Sequence, residues 1–413
     1  MSEIAWEITS LSELGTFSRG KSKHRPRNDV KLFEGGKYPL VQTGDVKAAN
    51  LYITKNDSYY NDFGLKQSKL WPAGTLCITI AANIAETAIL SYPMCFPDSI
   101  VGFNANPEKS SELFVYYFFE YIKKEIQKSA SGSIQDNINI DYLSKMRIKV
   151  PEKVYQDKIV DLLSSIDKKI LLNNQINQEL ESMAKTLYDY WFVQFDFPDQ
   201  NGKPYKSSGG KMVYHPELKR EIPEGWGVDS LWNIANFYNG LAMQKYRPDT
   251  NEDDYLPVIK IREMMNGFSK DSEKARLDIP TEAVVESGDI LFSWSATLEV
   301  IIWGKERGAL NQHIFKVTSD TYPKSFIYFE LKSYLKVFKA IAELRKTTMG
   351  HITQDHLKQA KIVVPPIEII SKIDAQLQHI MSQKQILENQ NQELTQLRDL
   401  LLPMLMNGQV KVE

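Results

Sequence analysis

The sequence predicts an α+β protein of two similar domains, each followed by a long helix. Three observations predict it. The chain repeats itself at about half its length, each repeat mixes strand-like pieces with amphipathic helices, and an apolar seam of heptad spacing follows each repeat. A chain of 413 residues is also too long for one hydrophobic core, so two or more domains are expected.

The repeat is anchored by the tetrapeptide NQEL, at Asn177 to Leu180 and again at Asn391 to Leu394, an offset of 214 residues. At the same offset Pro151 falls on Pro365, Ile159 on Ile373, Ile166 on Ile380 and Leu187 on Leu401. "INIDYLSKMRIKVP" from Ile138 falls on "ITQDHLKQAKIVVP" from Ile352, and "GTLCITIAAN" from Gly74 on "GDILFSWSAT" from Gly288. The offset grows to 217 for "YPLV" at Tyr38 against "YLPV" at Tyr255, and to 220 for "WEITSLSELG" at Trp6 against "WGVDSLWNIA" at Trp226. A chance tetrapeptide would not extend like this, and the chain is read as a duplication. The expected boundaries are a first domain over 1–152, a long helix over 153–193, a linker over 194–224, a second domain over 225–364, and a second helix with tail over 365–413.

Inside each domain, Leu76 to Ala82 and Ile290 to Ser295 follow a glycine and are rich in β-branched and aromatic residues, the pattern of a buried strand. "SELFVYYFFEYIKKEIQKSA" and "KSFIYFELKSYLKVFKAIAEL" are amphipathic at helical spacing. Pro151, and the pair Pro365 and Pro366, close the domains, because proline holds its predecessor extended and is tolerated at a helix start.

After the prolines, Ile159, Leu163, Ile166, Ile170, Asn173, Asn177, Leu180, Ala184, Leu187 and Trp191 alternate four and three apart, an a/d seam. The second copy repeats the seam with two charged departures, Lys384 and Arg398. A helix over 154–191 would be about 57 Å long and unstable alone with one apolar stripe exposed, so each copy needs a partner, and the other copy is in the same chain. Asn173, Asn177 and Asn391 stand at seam positions near mid-helix. Buried, they cost stability and fix register; turned outward, they let the seam fray. Antiparallel pairing brings the Asn layers together and carries the domains to opposite ends, whereas parallel pairing places the domains side by side. The Asn layers favour the antiparallel arrangement.

Catalytic signatures are missing. There is no G-x-x-x-x-G-K-[ST] phosphate loop and no G-x-G-x-x-G, and Gly35-Gly36 reads as a turn. "VVPPIE" at Val363 lacks the acid or Asn and the aromatic that an amino-methyltransferase places around its prolines. His351 and His356 are five apart and cannot share a helix face as metal ligands; Cys77 and Cys95 have no neighbouring His; Asp253-Asp254 sits in a polar loop. The reading is of a chain with no enzyme activity, cofactor or metal. Two cysteines give no disulfide framework, no apolar run reaches the ~18 residues of a membrane helix, and "MSEIAWEITS" does not resemble a signal peptide, so a cytoplasmic protein is expected. The net charge of −2 neither advertises nor excludes a nucleic-acid partner, since a local basic patch suffices.

Two similar domains on long helices suit a ligand with two sites at fixed separation, and double-stranded DNA is such a ligand. "RGKSKHRPR" places Arg19, Lys21, Lys23, Arg25 and Arg27 in one loop, and its counterpart "GLAMQKYRP" keeps Lys245 and Arg247. Such a loop can neutralise phosphates, and it can equally be solvated surface. Gln42 and Thr43 in "VQTGDV", and Lys260 and Arg262 in "VIKIRE", stand at strand ends, with Gln42, Lys260 and Arg262 of types that address base edges. "SASGSIQDN", with Ser131 and Ser133, and "RKTTMGH", with Lys346, Thr347, Thr348 and His351, offer small or donating side chains for close approach to phosphate.

The run "LNNQINQELESMAKTLYDYWFVQFDFP" resembles the central region of the specificity (S) subunits of type I restriction-modification enzymes, as do "IPEGW" at Ile222, "TTMGHI" at Thr347, the "VPP" before the second helix and "LLLPMLMNGQV" near the end. The resemblance spans essentially the whole chain. It implies two target-recognition domains, each reading one half of a bipartite DNA sequence. It implies that the two helices pair as an antiparallel coiled coil with pseudo-twofold symmetry and set the spacer. It also implies a non-catalytic subunit that assembles with two methyltransferase (M) subunits using S-adenosylmethionine, and with ATP-dependent motor-nuclease (R) subunits in the full enzyme. Of the aromatic cluster, Tyr188, Trp191, Phe192 and Phe195 have two readings: they close the helix end against the second domain, or, as the resemblance allows, they dock the methyltransferase. Lys384 and Arg398 mark either looser packing or a face toward that partner.

Overall fold

The computed structural model describes residues 5–81, 83–131, 139–250, 254–344 and 351–412. The chain forms two compact units, Met1–Ile170 with Glu393–Glu413, and Leu171–Gln392. Their boundaries cut through both long helices, because each domain packs on a stretch of each helix. Four helices serve as landmarks: α1 (Glu112–Ser131), α2 (Lys153–Tyr188), α3 (Lys324–Leu344) and α4 (Ile367–Met406).

In the first unit Trp6–Ser10 pairs antiparallel with Arg147–Pro151, joining the start of the domain to its end. A five-stranded sheet runs in the order Gly15–Arg19, Ile100–Ala105, Leu76–Thr79, Thr87–Leu90, Tyr52–Ile53. A four-stranded sheet runs Ser58–Tyr60, Tyr38–Leu40, Met94–Cys95, Leu70–Trp71. Leu76–Thr79 is buried along its whole length, as its composition predicts, because both faces are covered. Side chains alternate across a strand. Leu76 and Ile78 accordingly join Phe114, Val115 and Phe118 of α1, while Cys77 joins Trp71, Met94 and Phe96 on the other face. Trp71 and Phe96 stack at 4.6 Å, and Gly102 must lack a side chain there because a Cβ would come within 2.8 Å of the indole.

The second unit repeats this plan. Gly227–Ser230 pairs with Lys361–Val364. One sheet runs Asn236–Asn239, Ile314–Thr318, Ile290–Ser293, Glu299–Ile302, and the other Lys274–Arg276, Tyr255–Ile259, Gly308–Leu310, Val284–Val285. In each second sheet the central pair is parallel, Leu40 with Cys95 and Val258–Ile259 with Ala309–Leu310. The duplication extends to single turns. The Thr79 hydroxyl donates to the Asn83 carbonyl and accepts from the Glu86 N–H at 3.0 Å; Ser293 does the same with Thr297 (2.5 Å) and Glu299 (2.9 Å). The linker is ordered: Asp196 and Asp199 accept backbone N–H groups of Ser207 (2.7 Å) and Asn201 (2.7 Å), and Met212–His215 pairs with Arg220–Pro223 as a hairpin.

The helices pair within each unit. In the second, Asn173 Nδ2 donates to Asn391 Oδ1 at 2.9 Å, Asn391 Nδ2 donates to Asn174 Oδ1 at 2.8 Å, and Lys384 meets Glu181 at 2.7 Å. In the first, Arg398 meets Asp167 at 3.0 Å. Partners descend on α4 as they ascend on α2, so the pairing is antiparallel. Asn173 is fully buried and Asn177 nearly so, which places them in the seam rather than outward. The charged departures have a physical reason: Lys384 and Arg398 each answer a carboxylate of α2, and Arg398 also holds Asp399 at 2.9 Å. No helix of the described residues is long and apolar enough to cross a membrane.

Candidate nucleic-acid interface

The basic loop of the first unit is built onto a framework rather than hanging free. Gly20 and Lys21 donate backbone N–H groups to Ile100 (2.9 Å) and Phe96 (3.1 Å), and a Cβ at Gly20 would lie 2.2 Å from the Pro97 carbonyl. Gln67 Oε1 accepts the N–H groups of Lys23 (2.7 Å) and His24 (3.1 Å), and Arg25 donates to the Ser22 carbonyl at 2.6 Å. His24 bonds Asp29 at 2.8 Å; that bond, with the Lys31 N–H, holds the Asp29 carboxyl below its usual range. Three arginines converge on one acid. Arg27 pairs with the Asp98 carboxylate at 2.5 Å, Arg25 approaches it at 3.9 Å, and Arg19 donates to the Asp98 carbonyl at 2.6 Å. Among the described residues no carboxylate lies within 4.0 Å of Lys21 or Lys23, and both are exposed.

This partition makes a prediction. Replacing Lys21 and Lys23 with alanine should weaken DNA binding and make the plot of log affinity against log salt shallower by roughly 2, at about 0.9 per phosphate contact. Arg27→Ala should change the slope less, because Asp98 already shares its charge. Titrations at several salt concentrations that superimpose for the Lys21, Lys23 variant and the parent would reduce the loop to plain surface.

Gln42 follows the strand Tyr38–Leu40 and starts the short helix Thr43–Ala48, its N–H donating to Asp45 at 2.7 Å; its side chain is exposed and Thr43 is half-buried. Lys260 takes the same place before Ile261–Asn266 in the second unit. There the cations are more heavily engaged. Lys260 pairs with Glu273 at 2.5 Å, Arg247 approaches the same carboxylate at 3.9 Å, and Arg262 grips the buried Glu263 at 2.6 Å. The Lys260 hydrogen bond is the main reason that Glu273 is held below its usual range. Lys245 is exposed in the turn Met243–Tyr246. Ser133, Lys346, Thr347 and Thr348 lie outside the described residues, as does the side chain of Ser131, which ends α1. His351 is exposed and forms a bridge with Ser295.

Sequence reasoning missed the neighbours of His351. Its ring lies 6.3 Å from that of Trp294, which also lies 5.6 Å from His313 and donates its Nε1–H to Asn239 at 2.9 Å. The available signal was the repeat itself, since Trp294 and His313 fall on Ile80 and Ser99 of the first copy.

The aromatic cluster packs inward. Tyr188, Trp191, Phe192 and Phe195 are buried in the second unit against Trp226, Phe326 and Phe329, where they close the helix end, the first of their two readings. What is exposed beside them is different: Met183, Tyr190 and Val193, with Leu172 and Ile176 earlier on α2.

Among the described residues no three His, Cys, Asp or Glu side chains gather as a metal site. Both thiols are buried, and burial pushes Cys95 up to about 11. The equivalent turns of the duplicated module carry a glutamine in one unit and a lysine in the other, Gln42 and Lys260. The sequence pattern described as the type I restriction modification DNA specificity domain matches residues 3–182 and 223–396, and the chain belongs to that family. The MjaIX type I restriction enzyme specificity subunit of Methanocaldococcus jannaschii is 26% identical over 424 residues, covering 99% of this chain and 94% of that one. The HindI specificity subunit of Haemophilus influenzae is 26% identical over 453 residues, covering 93% and 97%. The crystal structure of a type I restriction-modification S subunit from M. genitalium has the same fold, with a TM-score of 0.59 at 15% identity, covering 98% of this chain and 97% of that one.

Proposed function

We propose that this chain is the non-catalytic subunit that reads a two-part double-stranded DNA target, one half with each domain. In this reading α2 and α4 set the spacer between the halves and dock two adenine methyltransferase subunits, and motor-nuclease subunits join in the full complex. The observation that supports it most is repetition carried down to single turns, such as the matched hydroxyl turns at Thr79 and Ser293, within a family of DNA specificity domains. Two copies of one module suit two sites on one ligand. The exposed apolar residues recur as well. Leu172 and Ile386, and Met183 and the Leu397 that matches it in the repeat, are all exposed, as docking of two copies of one partner requires.

The test is to express the chain with its methyltransferase partners and map N6-methyladenine across the host DNA. The expected result is a two-part motif with a fixed spacer that disappears when this chain is left out. Methylation without such a motif, or a stable complex that neither methylates nor binds DNA with salt dependence, would favour a coiled-coil adaptor carrying two protein-binding domains.

A further inference from the structure

We propose that Asn239, Gln312, His313 and His351 form the base-reading face of the second domain, with Trp294 as the residue that positions them. The inference rests on the DNA-reading function proposed above and names the side chains that would carry it.

The position follows from the sheet. Asn236–Asn239, Ile314–Thr318 and Ile290–Ser293 are neighbouring strands, with Asn239 opposite Phe315 and Ser293 opposite Ile314. The residue ending the first strand, the pair preceding the second and the residue following the third therefore meet at one end of the sheet. Backbone bonds fix them there: Trp294 N–H donates to His313 at 3.3 Å, Gln312 N–H to Leu241 at 2.9 Å, and Ile352 N–H to Trp294 at 2.8 Å, which brings His351 alongside. The indole then organises the side chains. Its Nε1–H holds the Asn239 amide oxygen, the two imidazoles flank its ring, and Gln312 Nε2 lies 3.4 Å from His313 Nε2.

The chemistry separates this face from the charged residues around it. Arg247, Lys260 and Arg262 are engaged with Glu273 and Glu263, so using them on a base edge would strand a carboxylate, one of them buried. Amides and imidazoles carry donors and acceptors together, which is what distinguishing base pairs in the major groove demands. Asn239 and His313 are exposed, and Gln312 is half-buried.

The other copy supplies a contrast. The positions matching Asn239, Trp294 and His313 are Arg19, Ile80 and Ser99, at the same end of the equivalent sheet, where Ile80 is buried in the core. Shared backbone with different chemistry at the same end of the sheet is the arrangement that two domains reading different half-sites need.

The experiment compares the parent chain with Gln312→Ala, His313→Ala and Trp294→Phe, each in the complex with its methyltransferase partners, by mapping N6-methyladenine. The expected result is that one half of the two-part motif relaxes at one or two base pairs, with discrimination there falling roughly tenfold or more. The other half and the spacer stay unchanged, which also reports that the variant is folded. Trp294→Phe keeps an aromatic ring and loses the indole N–H, and should relax the position that Asn239 reads. If a variant abolishes methylation, competition binding against single-base changes in the target gives the same profile directly. Motifs identical to the parent at every position, or binding uniformly weaker with the profile unchanged, would overturn the assignment. A parent complex that yields no two-part motif would instead overturn the DNA-reading function itself.

Discussion

Replacing Phe192 with alanine should cost about 3–5 kcal/mol of folding stability, the range for removing a buried phenylalanine ring from a packed core. Phe192 sits in the last turn after α2 and meets Tyr188 edge-on at 4.8 Å, Phe326 at 5.8 Å and Trp226 at 6.0 Å, all within the second unit. Tyr188 in turn stacks on Phe329 at 5.0 Å, and Phe195 meets Trp226 edge-on at 5.5 Å. Alanine would leave a cavity that rings held from three separate segments cannot close without losing their own contacts. The contrast lies three residues or fewer away. Tyr190 and Val193 are 36% and 48% exposed, and Tyr190→Ala or Val193→Ser should shift stability by no more than about 0.5 kcal/mol. In the proposed assembly those two changes weaken methyltransferase binding instead. Denaturant unfolding of the three variants, together with pull-down of the partner, separates the roles. A Phe192→Ala chain as stable as the parent would return the cluster to the surface.

The seam of the long helices was legible because its period survives twice, and Ile159, Leu163, Ile373 and Leu377 are buried where the spacing places them. The direction of pairing was harder to see, although its clue was in plain view. Lys384 and Arg398 look like defects in one helix taken alone and become register marks once Glu181 and Asp167 of the other are set against them. The strand Leu76–Thr79 was legible from composition; its place in the sheet was not, because its neighbours Thr87–Leu90 and Ile100–Ala105 are set by pairing rather than by local preference. The basic loop was visible as a run of cations, yet its charge balance depends on Asp98, 71 residues beyond Arg27, and no reading of the loop alone supplies that partner. The cluster around Trp294 is drawn from four separate stretches of chain, so only the folded sheet assembles it.

Glu330→Gln should stabilise the second unit by about 3 kcal/mol at pH 8 and by almost nothing at pH 4, at ~1.4 kcal/mol per unit of pKa difference. Glu330 lies on α3 with its carboxylate buried, where it accepts a hydrogen bond from the Tyr188 hydroxyl of α2. Burial pushes its pKa from 4.5 up to about 7, although the Tyr188 bond and the charge of Arg220 pull it down. From pH 4.5 to 7 the unfolded chain has released this proton and the folded chain still holds it. Folding therefore takes up a proton in that window, and the stability of the parent falls as pH rises through it. Glutamine is neutral throughout and keeps an oxygen to accept from Tyr188, so the variant loses the pH dependence and keeps the bond. The first unit resolves its own junction differently, because Asp167 accepts from Tyr117 at 2.6 Å and also has Arg398 at 3.0 Å. An acid with a cation beside it offers no comparable gain on neutralisation. Denaturation midpoints of parent and Glu330→Gln chains across pH 4 to 8 test the argument. A constant difference over that range would mean that the carboxylate is solvated and that α2 meets α3 without a buried charge.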